Sequence, residues 1–359
     1  MSVREPTIPP SAPQAPSIAV IVPNWNDARY LRRCITSVLD QDVPPDELIL
    51  VDDHSTDDSV SVMHSLIDNY PRAKLVVNPV NLGTYGAVDE GLKRTSADYV
   101  LFLASNDFVL PGIFERARSC LARNPGVGLW SAMMWLVDEN DVPIRLHPSA
   151  VPAMHDAHFP PAECVQLAYR FGYWFTGSTL IYHRKTLIAA GGFDPFYKGL
   201  SDLLTALIVA SRRGAAFSPE PFAAMRIHAG SYLSNTLADA KTVETMIGRL
   251  RSEGPTLEPR LFTPAYLDRL ALRFQFAAIR GFGGAGVGDI ASKAIGPRRR
   301  ALRLIDRIVP AGMRRTRVAL AFVILRPFDI APTIWYRFFR TAVVLLRVRI
   351  RNRGAPQQP

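Results

Sequence analysis

The segment LILVDDHSTDDSV, residues 48–60, places two aspartates directly after a run of aliphatic residues. The aliphatic run predicts a buried strand, and the polar residues after it predict a helix start near Asp57. One interpretation is that residues 53–56 only cap that helix. Capping does not account for two carboxylates, Asp52 and Asp53, at the end of a strand, where acidic groups commonly accept hydrogen bonds from a base or a ribose. We therefore favour a nucleotide site, and capping is the alternative.

Strands and helices alternate on either side of this segment. The apolar runs that predict strands are IAVIV (18–22), ELILV (47–51), KLVV (74–77) and YVLFL (99–103). Between them, apolar pairs such as Tyr30/Leu31 and Cys34/Ile35 recur every four residues, which is helical spacing. Continuous apolar strands that alternate with helices predict an α/β fold with a parallel sheet covered on both faces. We expect this half to bind a nucleotide at its strand ends.

The second half of the chain has a less regular pattern. Residues 127–144 predict a strand, a turn at 138–141 and a returning strand. Residues 174–195 predict a strand followed by a helix from about Arg184. Residues 201–214 have a polar start, an apolar body, two arginines and a final glycine, which together predict a complete helix.

One predicted strand ends in a polar cluster. In LFLASNDFVLPG, residues 101–112, the apolar run stops at Ser105-Asn106-Asp107. Side chains at such a strand end project into the crevice where α/β sheets bind ligands. Only one carboxylate is present, which leaves open whether the cluster holds a metal ion or has lost that function.

The two ends of the chain differ from its middle. Residues 1–16 contain five prolines and no continuous apolar core, which predicts a disordered leader rather than a secretory signal. The net charge of +10 belongs to the tail, because Lys293–Arg353 carries 16 basic residues and two acidic ones. The three cysteines show no C-x-x-C spacing, so they predict neither disulfides nor a structural zinc site and favour the cytoplasm.

Residues 238–359 predict a basic, mainly helical region. Its apolar segments, including 317–328 and 334–351, all lack the run of about 18 apolar residues that a membrane span needs. Basic and apolar residues that interleave over 298–351 suit helices on an anionic membrane surface, and helices packed on the preceding domain are the alternative. No recognised nucleic-acid-binding domain is present, so we expect no nucleic-acid partner.

Three segments together carry a family resemblance. They are IAVIVPNWNDARYLRRCITSVLDQDVPPDELILVDDHSTDDS, NLGTYGAVDEGLKRTSADYVLFLASND and TGSTLIYHRKTLIAAGGFDPFYKGLSDLLTALIVASRRG. In order and spacing they resemble the family 2 glycosyltransferases of the GT-A fold, of the bacterial polysaccharide and O-antigen type. The resemblance implies a Rossmann-like half with a mixed sheet over residues 17–237. It also implies inverting sugar transfer from a nucleotide-sugar donor, with a divalent cation, Mn²⁺ or Mg²⁺, on the diphosphate.

The resemblance assigns the donor site to loops at the strand ends. Asp52 and Asp53 match the family's base- and ribose-binding pair, and Asn81 and Gly83 match a loop that closes over the donor. Position 88, often basic in the family, is Val88, which removes one diphosphate contact. The residues assigned to the donor are Pro23, Asn26, Asp52, Asp53, Asn81, Gly83 and Asn106.

The metal site departs from the family. The D-x-D motif falls on Ala104-Ser105-Asn106, so both carboxylate positions are substituted and Asp107 is the remaining acid. The implied metal ligands are Asp107, Asn106 and His228, although a structural or surface role for His228 is equally open. A bound donor supplies phosphate oxygens, so one protein carboxylate suffices when donor is present. We therefore expect donor and metal to bind cooperatively.

The acceptor side centres on Asp202. The family's acid pair after G-G-F-D falls on Ser201-Asp202, and an inverting transfer needs a base near the acceptor hydroxyl. An aspartate that only stabilises a helix N-terminus is the alternative. Trp174, Gly177 and Ser178 are expected to line the acceptor pocket, with core packing as the competing account for the aromatic residues.

These features lead to one expected function and one alternative. We expect an inverting, hexosyltransferase-type enzyme that acts on a glycan or lipid-linked acceptor. It would be cytoplasmic and peripheral on the inner face of the cell membrane. The alternative is a non-catalytic sugar-nucleotide or glycan-binding module that descends from such an enzyme, with the degenerate D-x-D motif as the mark of lost turnover.

Overall fold

The computed structural model describes residues 15–227, 240–280, 298–310 and 312–354. The leader predicted for residues 1–16 lies almost entirely outside these ranges, so it stays a prediction.

A mixed sheet of ten strands forms the centre of the described structure. The strands are β1 (Ile18–Asn24), β2 (Glu47–Asp52), β3 (Ala73–Val77), β4 (Tyr99–Phe102), β5 (Phe108–Val109), β6 (Leu129–Val137), β7 (Pro143–Leu146), β8 (Ala157–Phe159), β9 (Ile181–His183) and β10 (Ala215–Arg226). Their order is β3-β2-β1-β4-β9-β6-β10-β5, with β7 beside β6 and β8 beside β10. β1 to β4 are parallel, whereas β9 runs antiparallel to both β4 and β6. The parallel half predicted from the sequence is therefore confirmed, and the whole sheet is mixed.

Helices cover both faces of this sheet. They are α1 (Ala28–Leu39), α2 (Ser59–Ile67), α3 (Gly83–Leu92), α4 (Ile113–Arg123), α5 (Pro161–Phe171), α6 (Arg184–Ala189), α7 (Ser201–Arg213), α8 (Ala240–Leu257), α9 (Pro264–Arg280), α10 (Arg299–Ile308) and α11 (Arg314–Leu325). After α11 the chain continues as Ile330–Pro332, the π-helical Thr333–Arg340 and Thr341–Gly354, which we call the C-terminal segment.

Alternate residues of the central strands supply two separate cores. In β1, Ile18, Val20 and Val22 pack with α1 and α4 on one face. Ala19 and Ile21 lie in the larger core on the other face, with α3, α5 and α7. A strand whose side chains are buried on both faces needs a continuous apolar run, which is why the sequence identified these strands.

The strand order reverses at β1. β2 and β3 lie on one side of β1, and β4 lies on the other. The carboxyl ends of β1, β2 and β4 therefore border one crevice, the usual ligand position in open α/β sheets. Asn24 and Asp52 end β1 and β2, and Ala104 follows β4 by two residues.

The helices after residue 240 do not form a separate body. Val243 and Met246 of α8 and Tyr266 and Phe274 of α9 belong to the larger core. α10 and α11 pack on α9 through a smaller core. The predicted boundary at residue 237 falls outside the described residues.

Within the described ranges, no one helix has both the length and the apolar composition for a membrane span. Arg314–Leu325 and Pro327–Arg349 meet the criterion only together, and a 97° bend separates them.

Candidate active site

Asp52 holds the strand-end loop together through both of its carboxylate oxygens. Its side chain is fully buried. Its Oδ2 accepts a hydrogen bond from Asn24 Nδ2 at 2.9 Å, and its Oδ1 accepts one from the backbone N–H of Ser55 at 2.9 Å. Asp52 therefore shapes the loop between β2 and α2, and its assignment to the nucleoside stays a prediction.

Asp53 connects two loops and keeps one oxygen unoccupied. Its Oδ1 accepts hydrogen bonds from Asn78 Nδ2 at 2.8 Å and from the backbone N–H of Leu82 at 2.9 Å. Its Oδ2 accepts no hydrogen bond from the part of the chain that the structure describes. An oxygen in that position is suited to accept from a base N–H or a ribose hydroxyl.

The loop after β1 contains two further residues assigned to the donor. Asn26 has a left-handed backbone with φ of 56°, and its Oδ1 accepts a hydrogen bond from the backbone N–H of Thr56 at 2.8 Å. Asn26 therefore ties the loop after β1 to the loop after β2. Pro23 lies in β1 and is partly exposed, and the neighbouring Trp25 is 57% exposed. Sequence reasoning missed Trp25, although an indole within a predicted ligand-binding loop was a usable indication.

The loop that leads into α3 contains the two residues predicted to close over the donor. Asn81 and Gly83 are both exposed, and Asn81 Oδ1 accepts a hydrogen bond from the Gly83 N–H at 3.0 Å. Gly83 has φ of 76°, which favours glycine. One turn further on, the Tyr85 hydroxyl donates to the carbonyl of Lys198. This contact joins α3 to the chain that leads into α7, and no sequence pattern indicates it.

The cluster after β4 does not offer an open carboxylate. Asp107 is 3% exposed. Its Oδ1 accepts from the backbone N–H of Arg226 at 3.1 Å, and its Oδ2 accepts from the Ser178 hydroxyl. The Asn106 carbonyl accepts from the Arg226 guanidinium, and the Ser105 hydroxyl donates to Asp27 at 2.7 Å. The cluster is therefore held together by bonds within the protein.

These residues do not fit a divalent cation. Ala104 provides no ligand, and both oxygens of Asp107 are occupied. The described residues contain no group of three or more His, Cys, Asp or Glu side chains that could hold a metal ion. His228, the third predicted ligand, lies outside the described residues. The metal set of Asn106, Asp107 and His228 stays a prediction that the described geometry does not favour.

Asp202, the predicted general base, is held by the backbone at the start of α7. It lies in the first turn of α7, where its Oδ1 accepts from the Leu203 N–H at 2.7 Å. Burial raises the pKa of Asp202 to about 6, and the N–H of Leu203 opposes part of that shift. A methyl group on Gly177 would lie 3.5 Å from Asp202 Oδ2, so the glycine leaves room in front of this oxygen.

The predicted acceptor-pocket residues divide into two groups. Gly177 lies next to Asp202, and Ser178 holds Asp107. Trp174 is 0% exposed and packs against Phe175 and Phe217 in the larger core, so its assignment to the acceptor pocket is corrected. Phe175 is also buried, which decides in favour of core packing for both aromatic side chains.

Comparison with known proteins identifies the first part of the chain. Residues 19–134 match the model for glycosyl transferase family 2. An uncharacterized glycosyltransferase of Haemophilus influenzae is 38% identical over 109 residues, which are 30% of this chain and 44% of that protein. The GalNAc(5)-diNAcBac-PP-undecaprenol beta-1,3-glucosyltransferase of Campylobacter jejuni is 36% identical over 98 residues, 27% of this chain and 32% of that protein. These matches each cover less than half of the relative.

Solved structures extend the likeness to nearly the whole chain. S. aureus TarS 1–349 in complex with UDP-GlcNAc is 18% identical, covers 93% of this chain and 92% of its own, and gives a TM-score of 0.56. The mannosyltransferase PcManGT from Pyrobaculum calidifontis, in complex with GDP-Man and Mn²⁺, is 20% identical and gives a TM-score of 0.51. The match covers 92% of this chain and 91% of that one. The GT-A fold expected from the sequence, with its helical C-terminal region, is confirmed.

Proposed function

Because the chain carries a glycosyl transferase family 2 domain, we propose that it is an inverting glycosyltransferase that moves a sugar from a nucleotide-sugar donor to a hydroxyl of a lipid-linked acceptor. The observation that carries this proposal is Asp202. It is a carboxylate with a pKa raised to about 6, it has an oxygen beside Gly177, and it lies on the acceptor side of the sheet expected from the family resemblance. A base with a pKa below neutral pH is deprotonated when the acceptor arrives.

The donor would bind at the ends of β1 and β2. Asp53 Oδ2 is the acceptor available to a nucleoside, and the exposed indole of Trp25 is a face on which a base can stack. The structural neighbours in complex with UDP-GlcNAc and GDP-Man support a nucleotide-sugar as the ligand class. Asn81 and Gly83 would then close over the donor from the loop before α3.

In the proposed transfer step, Asp202 accepts the proton of the acceptor hydroxyl. The acceptor oxygen attacks the anomeric carbon as its proton passes to Asp202 Oδ2, and the bond between that carbon and the nucleoside diphosphate breaks. A single displacement of this kind inverts the anomeric configuration. General-base assistance typically contributes a factor of about 10² to 10⁴ in rate. We assign no step to a metal ion, because the described residues do not form a cation site.

A lipid-linked acceptor is supported by one relative and by the surface of the molecule. The Campylobacter jejuni relative is named for an undecaprenol-linked acceptor. The C-terminal segment exposes aromatic residues between arginines, as described below. We therefore propose that the enzyme acts in the cytoplasm, at the inner face of the membrane.

The test of this function is a donor screen combined with Asp202→Asn. Wild-type protein should release nucleoside diphosphate from one UDP- or GDP-sugar, at a rate that increases with pH through about 6, as Asp202 loses its proton. Asp202→Asn should lower that rate by about 10² to 10⁴. Its affinity for UDP or GDP, measured by calorimetry, should stay within about twofold of wild type, because the nucleotide contacts are unchanged.

Glu163→Gln is the matched control. Glu163, like Asp202, is an acid in the first turn of a helix, but its helix is α5 rather than α7. The control should keep wild-type turnover. Full activity in Asp202→Asn would remove the base from the proposal. Tight nucleotide binding without turnover of any sugar would instead support the non-catalytic binding module.

A further inference from the structure

The C-terminal segment presents a continuous apolar face to solvent. Trp335 is 61% exposed, Phe338 is 69% exposed and Phe339 is 58% exposed. Trp335 and Phe339 are in contact, with ring centroids 5.5 Å apart. Val343 and Leu346 follow at helical spacing and are also exposed. Five exposed large apolar side chains within twelve residues are unusual on a soluble surface and mark an interaction site.

The opposite face of the same segment is fixed to the transferase domain. Val344 is buried in the larger core. The Arg340 guanidinium donates to the carbonyl of Val151 at 3.0 Å, and the Arg347 guanidinium donates to the carbonyl of Met154 at 2.6 Å. The exposed aromatic residues therefore sit on a helix that is attached to the catalytic domain, and a partner bound there would hold that domain in a set orientation.

The described chain from residue 298 to 354 carries an excess of positive charge. The only acids between residues 298 and 354 are Asp306 and Asp329. Asp306 pairs with Arg317, and Asp329 pairs with Arg273 and Arg326. Arg300, Arg303 and Arg307 of α10 are exposed, as are its apolar residues Leu304 and Ile308. Exposed arginines beside apolar side chains, in a stretch from residue 298 to 354 whose two described acids are both paired and largely buried, complement an anionic lipid surface.

We propose that α10 and the C-terminal segment form a docking surface for an anionic lipid bilayer, with Trp335, Phe338 and Phe339 inserted at the level of the head groups. Aromatic side chains prefer this depth, because their rings are apolar and tolerate the polar interface. The segment lies in the plane of the surface, since its other face is covered by the protein. This inference concerns location and is independent of the transfer chemistry.

The test uses the full chain and vesicles of phosphatidylcholine with and without phosphatidylglycerol. Wild-type protein should float with the anionic vesicles, bind neutral vesicles weakly, and lose most binding at high salt, which screens the arginines. The emission of Trp335 should shift to shorter wavelength on anionic vesicles, and Trp335→Phe should lose that shift.

Two variants separate the apolar and electrostatic contributions. The triple change Trp335→Ser, Phe338→Ser and Phe339→Ser should weaken partitioning by at least about a hundredfold, because each lost aromatic costs roughly a factor of ten. Neutralising Arg300, Arg303 and Arg307 with Gln should weaken it by about fivefold per charge on anionic vesicles only. Unchanged thermal unfolding would show that both variants fold.

The control removes exposed apolar residues elsewhere. Val142→Ser with Ile144→Ser changes two side chains in and beside β7 that are as exposed as those of the C-terminal segment. This variant should bind vesicles like wild type. No binding of wild-type protein to anionic vesicles would overturn the proposal, as would equal binding by the triple variant. A dimer in solution that the triple variant abolishes would show that the face binds a second copy of the chain instead.

Discussion

Asp107 illustrates how one residue type serves different purposes at a strand end. A carboxylate next to a substituted D-x-D motif predicted a metal ligand. In the structure its two oxygens accept from the Arg226 N–H and the Ser178 hydroxyl, which joins the loop after β4 to β10 and to the loop before β9. A buried carboxylate is stable only when its oxygens are satisfied. The sequence shows that an acid is present, but it does not show whether its oxygens are open.

The same distinction applies to the two adjacent acids after β2. Asp52 and Asp53 are both buried, yet only Asp53 keeps an oxygen without a partner among the described residues. One donor to Asp52 is Asn24, which ends a different strand, 28 residues earlier in the chain. Sequence reasoning assigned both acids to a site between β2 and α2 and could not distinguish the hydrogen bonds that each of them accepts.

We expect nucleotide binding to be independent of divalent cations. Because Ala104 and Asn106 replace the motif carboxylates and Asp107 is occupied, the Kd of UDP or GDP should be the same in EDTA and in Mn²⁺. The double variant Ala104→Asp, Asn106→Asp restores two oxygen ligands that suit such ions. It should gain a Mn²⁺-dependent increase in affinity of about tenfold or more. Isothermal titration calorimetry with UDP or GDP, with and without Mn²⁺, measures the Kd of the nucleotide for wild type and for the double variant.

Asn69→Asp, on an exposed turn after α2, is the control for added charge and should show no gain. If wild-type protein binds the nucleotide much more tightly in Mn²⁺, the expectation fails. Asn106, Asp107 and His228 would then have to coordinate the ion after a rearrangement of the loop.

At the level of elements, the parallel half and the pair β6 and β7 could be predicted, whereas β10 could not. The four apolar runs that predicted strands correspond to β1 to β4. β10, with 12 residues, was missed, although it lies between β6 and β5. Pro219 and Pro221 interrupt its sequence, and proline normally excludes a segment from the interior of a sheet. The structure accommodates them with register shifts between Ser218 and Ala223.

Trp174 shows the corresponding limit for side chains. Its position before the glycine-serine pair suggested an acceptor-facing ring, because aromatic faces suit sugars. Its burial depends on Phe159 and Phe217, from β8 and β10, two strands that the sequence did not predict. An aromatic residue cannot be assigned to a pocket or to a core before the strands that cover it are known.

Gly91 should control how α3 packs on the sheet. A Cβ at this position would lie 2.4 Å from Ile21 Cγ2 and 3.3 Å from Val51 Cγ2. Gly91→Ala should therefore push α3 away from β1 and β2 and lower the free energy of unfolding by about 1 to 3 kcal/mol. Because α3 begins at Gly83, nucleotide affinity should also fall. Denaturant unfolding and calorimetry measure the two effects.

Gly248→Ala gives the opposite expectation from the same chemical change. Gly248 is an exposed residue inside α8, and a Cβ there would meet nothing within 4 Å. Alanine in a helix interior should then stabilise by roughly 0.5 to 1 kcal/mol. Equal effects of the two substitutions would show that helix propensity, rather than contact with Ile21, decides the outcome at Gly91.

On the scale of the whole molecule, the basic tail is part of the fold. Arg273 of α9 is 4% exposed and Asp329 is 2% exposed. The Arg273 guanidinium donates to Asp329 Oδ1 at 2.8 Å and to the Ala168 carbonyl at 3.2 Å, near the end of α5. One side chain therefore joins the transferase domain, α9 and the chain that leads to the C-terminal segment. If the vesicle experiments succeed, both alternatives for the tail apply. One face of its helices packs on the preceding domain, and the opposite face binds the membrane surface.

This buried pair should be the main energetic connection between the tail and the domain. Burial alone would raise the pKa of Asp329, but Arg273 and Arg326 bring it below its ordinary value. The pair therefore stabilises the fold above about pH 4, and that stability is lost as pH falls through the folded-state pKa. Arg273→Met should cost about 3 kcal/mol at neutral pH, because Asp329 keeps only Arg326 as a partner and three carbonyls near the end of α5 lose their donor.

The comparison for this last prediction is Arg251→Met, which breaks a pair with Asp268 in which both side chains are more than half exposed. An exposed pair contributes at most about 1 kcal/mol, so this variant should unfold close to wild type. Denaturant unfolding of both variants is measured at neutral pH and over a series of lower pH values down to about pH 3. The gap between wild type and Arg273→Met should narrow as pH falls through the lowered folded-state pKa of Asp329. If Arg273→Met unfolds like Arg251→Met, the tail is held by apolar packing alone, and the C-terminal segment would owe its position to Val344 and its neighbours.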